Sequence, residues 1–290
     1  METKDLLQKV RRIEIKTKGL SKQIFSGEYN SAFKGKGMSF SEVRAYQYGD
    51  DVRNIDWNVT ARTGEPHVKI FEEERELTVM LLLDLSGSSF FGTKNGFKSD
   101  ILLEISALLS FAAINNNDKV GAIIFTDRIE KFIPPKKGKQ HILYIIRELI
   151  NIQPAGKKTN LGLALKYFSN IIKRRSICFL ISDFMDQEYQ TSFKVASRKH
   201  DLIGIRLFDP MEELLPEVGL IPIIDNETGK KIWLDTSSSQ IQLKFNEGVR
   251  KKNNYLEKVI QSSKADLLTI PTNADYVKIL MDFFQKRTAS

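Results

Sequence analysis

A single cysteine and only three histidines in 290 residues leave little room for disulfide, zinc or imidazole chemistry. Cys178 sits inside an apolar run and reads as a small core residue rather than a nucleophile. His67, His141 and His200 have no partner at ligand spacing, so each reads as structural or solvated. Neither GxxxxGK[ST] nor GxGxxG occurs, which removes sequence support for a nucleotide site. No apolar stretch approaches the roughly 20 residues that cross a bilayer, and Met1-Glu2-Thr3-Lys4-Asp5 opens without an apolar signal region. The expectation is a cytoplasmic protein with no membrane insertion.

Charge of one sign is in modest excess, +8 in all. Residues 1–76 carry 14 Lys/Arg against 13 Asp/Glu, so nearly all the excess lies beyond them, scattered in groups such as Lys136-Lys137, Lys173-Arg174-Arg175 and Lys251-Lys252. Dispersed lysine is usually a solvated face, and it favours an acidic partner over nucleic acid. An RNA-binding reading also lacks the exposed aromatic ladder that such surfaces often use.

What the chain does have is the run Leu77-Thr78-Val79-Met80-Leu81-Leu82-Leu83, which ends in Asp84-Leu85-Ser86-Gly87-Ser88. An unbroken apolar run bounded by a Gly/Ser turn fits a strand buried on both faces of a parallel sheet. Such sheets hold their ligands just past the carboxyl ends of the strands, where Asp84, Ser86 and Ser88 would stand. Three hard oxygens on one turn suit a magnesium-sized cation. The plainer reading is a capped strand-to-helix turn, for which Ser and Asp are ordinary residues.

Downstream the elements alternate. Helical stripes at 101–112, 142–150, 161–172 and about 239–262 separate apolar strands at 120–125, 177–182, 202–207 and 267–270, with a closing helix at 276–284. Ile129 to Ile133 follows its neighbour too closely for a crossover and should be an antiparallel edge strand, stopped by Pro134-Pro135. Residues 219–235 read as an inserted β-hairpin. The fold class is α/β, a doubly wound, mostly parallel sheet with one antiparallel edge strand. The domain division places an N-terminal arm and signature block at 1–76, packed on a main domain at 77–290. Within the arm, residues 5–24 have helical spacing, and residues 40–76 alternate opposite charges with aromatics. That block is either a recognition surface or a charge-paired clamp built on Arg–carboxylate forks, and the density of mixed charges favours the clamp.

Three loops fall on one rim of such a sheet: Asp84/Ser86/Ser88, then Thr159 before a helix, then Asp183 after the strand 177–182. If the chain reverses direction between the strands ending at Asp84 and Asp183, the two carboxylates converge with three hydroxyls around them. Asp-x-Ser-x-Ser with a later Thr and a further Asp resembles the metal-ion-dependent adhesion site (MIDAS) of von Willebrand factor A-like domains. The resemblance implies Ser86, Ser88 and Thr159 as direct ligands of a divalent ion, with Asp84 and Asp183 acting largely through water. The family usually has Gly before the Thr and after the last Asp; this chain has Lys158 and Phe184.

A second resemblance covers residues 35–230. Gly35-x-Gly37, Phe40, Glu42, Arg44-x-Tyr46, Gly49-Asp50-Asp51, Arg53, Ile55-Asp56-Trp57, Ala61-Arg62, Val68-Lys69 and Phe71, with Phe208-Asp209-Pro210 and Asp225-x-Glu227-Thr228-Gly229, look like an uncharacterised bacterial family. Its members carry this block ahead of a von Willebrand factor A-like domain and are associated with MoxR-type AAA+ ATPases. The resemblance implies a non-enzymatic, Mg²⁺-dependent protein-binding module (Mn²⁺ and Ca²⁺ left open) whose ion accepts a partner's carboxylate. It further implies an adaptor for an AAA+ ATPase in chaperone-like assembly or maturation. The alternative is an enzyme in which the same ion polarises a phosphate, for phosphoryl transfer or hydrolysis.

Overall fold

The computed structural model describes residues 39–72, 77–90, 97–224 and 231–289. The helix expected over 5–24 lies outside the described residues. By internal contacts the chain divides into two compact units, residues 33–77 and the remainder.

In the smaller unit, β1 (Ser39–Ala45) pairs antiparallel with β2 (His67–Glu72). Between them lies the short helix α1 (Trp57–Thr63). Asp56 caps its amino end by accepting from the amides of Asn58 and Val59, and Gly64 closes it at φ 78°. Among the described residues, three ion pairs form within this block. Arg44 forks onto Asp50 through two bonds of 2.8 Å, Arg53 binds Asp51, and Lys69 lies 3.6 Å from Asp56.

The larger unit is a six-stranded sheet in the order β10-β7-β6-β3-β4-β5. Its strands are β3 (Thr78–Asp84), β4 (Lys119–Phe125), β5 (Ile129–Lys136), β6 (Ile177–Ser182), β7 (Asp201–Phe208) and β10 (Asp266–Pro271). Every pairing is parallel except β4–β5. The apolar run at 78–83 therefore forms a central strand, buried on both faces as its composition requires. β5 is the antiparallel edge, yet Pro134-Pro135 do not stop it: Lys136 still pairs with Val120. The register shifts between Val120 and Ala122, and an edge strand with a bulge tolerates the missing amides.

The helices are α2 (Lys98–Asn115), α3 (Lys139–Asn151), α4 (Leu161–Ile171), α5 (Gln190–Lys199), α6 (Ser239–Ser263) and α7 (Tyr276–Ala289). On one face of the sheet, Met80 and Leu82 of β3 and Cys178 and Leu180 of β6 pack with Leu165 and Phe168 of α4, Phe193 of α5 and Val259 of α6. The alternate residues point to the other face, where Phe179 meets Phe284 of α7 edge-on at 6.4 Å. The hairpin β8 (Leu220–Ile224) and β9 (Lys231–Asp235) forms its own two-stranded sheet, and its expected turn lies outside the described residues.

From β3 the chain goes first to β4 and β5 on one side, then crosses to β6 on the other. The strand order thus reverses between β3 and β6, and a crevice opens past their carboxyl ends.

Candidate metal centre

Asp84 is the last residue of β3 and Asp183 the first after β6, so the crevice receives one carboxylate from each side. Both are buried. The turn after β3 folds back on Asp84: the Ser86 amide donates to Oδ1 at 3.0 Å, and the Ser89 hydroxyl donates to the Asp84 carbonyl at 2.7 Å. The Ser182 hydroxyl donates to Oδ2 at 2.6 Å and accepts from the Phe184 amide at 3.0 Å, tying the two strand ends together. Ser86 and Ser88 share a hydroxyl–hydroxyl bond of 3.1 Å, and Ser88 helps to lower the Asp183 pKa.

The third loop reaches the same place. The Gly87 amide donates to the Lys157 carbonyl at 2.7 Å, two residues before Thr159. This loop is seated by Gly156, where an added Cβ would stand 1.9 Å from an Asp127 carboxylate oxygen and 2.2 Å from the Thr126 hydroxyl oxygen. Glu130 accepts from the Gly156 amide at 2.9 Å and holds the loop from below. Beyond Thr159, Asn160 caps α4 through the Leu163 amide, and Asp186 accepts from the Leu161 amide at 2.7 Å. The structure therefore gathers Asp84, Ser86 and Ser88 in one hydrogen-bonded turn, ties it through Ser182 to the end of β6 that leads into Asp183, and sets the Thr159 loop against it.

Phe184 has φ 58°. The backbone takes the left-handed conformation that glycine would supply, and the ring is buried against Tyr189 at 6.2 Å.

Sequence reasoning missed three groups at the site. Ser182 looked like the end of a strand. Lys98, at the first turn of α2, is only 3% exposed and donates to Asp183 Oδ2 at 2.9 Å and to Glu212 Oε1 at 2.7 Å. Glu212 belongs to the turn after β7, where it also accepts from the Asp209 amide at 3.0 Å. No sequence signal marks a lysine for burial, since lysines are almost always exposed.

The electrostatics follow from two carboxylates in one dry crevice. Burial and the Asp183 charge push the Asp84 carboxyl up to about 7, against hydrogen bonds from Ser182 and Ser86. Burial acts on Asp183 in the same direction, but the Lys98 ammonium and the Met185 amide together with Ser88 hold that carboxyl below its ordinary value.

Among the described residues no group of three or more His, Cys, Asp or Glu side chains is placed to hold a metal ion. The oxygens here are a mixed set, two carboxylates and three hydroxyls, which are hard donors of the kind Mg²⁺ takes. The Thr159 hydroxyl oxygen is buried and has no hydrogen-bond partner. An orphaned buried hydroxyl and a pair of facing carboxylates are both relieved by a cation, so the residues fit one.

The model of the family described as "protein of unknown function DUF58" matches residues 42–255. The chain belongs to this family. Among curated relatives, DUF58 proteins or otherwise, it is similar to an uncharacterized protein of Mycobacterium tuberculosis, 28% identical over 283 residues, covering 96% of this chain and 88% of the relative. It is also similar to the uncharacterized protein YeaD of Bacillus subtilis, 25% identical over 139 residues, covering 44% of this chain and 33% of that one. Among solved structures it is similar to a conserved hypothetical protein, BatB, from Bacteroides thetaiotaomicron, with TM-score 0.49 and 16% identity, covering 74% of this chain and all of the other. It is similar as well to the SpRpn10 VWA domain, with TM-score 0.38 and 10% identity, covering 72% and 95%. Among the described residues no helix is long and apolar enough to cross a membrane.

Proposed function

We propose that this DUF58 chain is a divalent-metal-dependent protein-binding module. The observation that carries the reading is the buried, unpartnered Thr159 hydroxyl on a loop seated against the Asp84–Asp183 pair at the β3/β6 crevice. Ser86, Ser88 and Thr159 would hold the ion directly, with Asp84 and Asp183 behind them. Bound there, Mg²⁺ would supply an electrophilic coordination position for one oxygen from outside. The chain's own part is to fix the hydroxyls. Ser182 orients Asp84, Lys98 and the Met185 amide orient Asp183, and the Gly87–Lys157 bond joins the two hydroxyl-bearing loops.

A carboxylate from a partner is the natural occupant of that position, and the dispersed positive charge of residues 77–290 favours an acidic partner. We read the site as binding rather than catalytic. The family resemblance at residues 35–71 extends the proposal to a MoxR-type AAA+ ATPase partner, with the chain acting as its adaptor in protein assembly or maturation in the cytoplasm. Affinity capture from lysate of the source cells, with Mg²⁺ and with EDTA, tests it. The proposal expects an AAA+ ATPase retained with Mg²⁺ and lost with EDTA or in Ser86→Ala. The same proteins retained in all three samples would overturn it.

A further inference from the structure

Lys98 is a buried positive charge at the candidate site, and its placement is costly. A lysine loses most of its hydration when buried, and only paired carboxylates offset that loss. Here the ammonium is held between Asp183 at 2.9 Å and Glu212 at 2.7 Å, which follow the adjacent strands β6 and β7 on one side of the crevice. Asp183 has its second oxygen engaged as well, accepting from the Met185 amide at 3.1 Å. An ion arriving at the hydroxyl cluster therefore meets a carboxylate whose charge a cation of the protein's own already partly balances.

We infer that the Lys98 ammonium is a built-in competitor for the divalent cation and sets the metal affinity of the site. This inference rests on the metal reading given above. With the Lys98 ammonium against Asp183, the pair Asp84 and Asp183 offers an incoming ion a weaker negative field than two bare carboxylates would. Metal binding must either push the ammonium onto Glu212 alone or proceed against its repulsion. Glu212 makes the first route possible, because it gives the ammonium somewhere to stay. The site is thereby tuned to hold its ion weakly until a further carboxylate from outside restores the missing negative charge. A lysine that served only to fasten α2 to the sheet would leave metal affinity unchanged when replaced.

The test is calorimetric titration of MgCl₂ into the full chain as wild type, Glu212→Gln and the double variant Lys98→Met/Glu212→Gln. The double variant removes the ammonium without leaving Glu212 charged and unpaired. It should bind Mg²⁺ at least about tenfold more tightly than wild type, and Glu212→Gln alone should bind more weakly, since the ammonium then has only Asp183. Equal or weaker binding by the double variant, with wild-type binding intact, would overturn the role of Lys98 and leave the metal reading standing. No binding by any of the three would overturn both. If the double variant does not fold, the ¹⁵Nζ resonance of Lys98 in the wild type, identified by its absence in Lys98→Arg, gives the answer. It should move on saturation with Mg²⁺; an unmoved resonance in metal-bound protein would overturn the inference.

Discussion

Phe184 shows how one side chain can occupy a position that favours another. Its left-handed backbone costs about 1–2 kcal/mol for a residue with a Cβ. Full burial of the ring returns more than that, since deleting a buried Phe side chain costs about 3–5 kcal/mol. Phe184→Gly should therefore relax the backbone and still destabilise the fold, by about 2 kcal/mol or more in a urea titration. His200 is also buried, tilted over Phe168 at 4.3 Å with Nδ1 3.0 Å from the Ser176 hydroxyl. Burial, aided by Lys199 and Arg175, lowers its pKa from 6.5 to about 4. Between those values the unfolded chain binds the extra proton, so this group's contribution to stability is full above about 6.5 and is lost as pH falls toward 4. At about 1.4 kcal/mol per pH unit the loss approaches about 3 kcal/mol, and His200→Gln should flatten the fall of Tm over that range. The sequence marked Asp84, Ser86, Ser88, Thr159 and Asp183 by residue type and spacing. It could not mark Lys98 or Ser182, whose importance comes from partners 85 and 98 positions away.

Elements were legible in proportion to how far their patterns depend on burial. β3 and β6 read as continuous apolar runs because a parallel sheet covers both their faces. β5 was read as ending at Ile133 rather than Lys136 because proline argues against a strand in general, whereas an edge strand has one side that needs no amide. α1 went unread for the opposite reason. Its caps, Asp56 and Gly64, stand in the sequence, but seven residues with no buried side chain carry no apolar stripe. The loop before α4 offers a sharper test of element-level design, because Gly156 leaves no room for a methyl group beside Asp127 and Thr126. Gly156→Ala should lift the loop, lower stability by about 1–3 kcal/mol and weaken Mg²⁺ binding through Thr159. Unchanged Tm and unchanged metal affinity in that variant would show that the loop is not held as described.

At the scale of the whole molecule, the sheet order carries the account, since only a reversal between β3 and β6 sets Asp84 and Asp183 on facing strand ends. The block at 33–77 is a compact unit of its own, in which charged residues pair locally while Trp57 and Tyr48 stay exposed. Its Arg–carboxylate forks lie within the block itself. The most direct measurement is the thermal midpoint of the full chain against Mg²⁺ concentration, for wild type and for Ser86→Ala. A saturable rise in the wild type, absent in Ser86→Ala, is the predicted result: a ligand that binds only the folded state at 100 times its dissociation constant adds about 2.7 kcal/mol. A midpoint indifferent to Mg²⁺, or one that rises equally in Ser86→Ala, would contradict a cation held at the β3/β6 crevice.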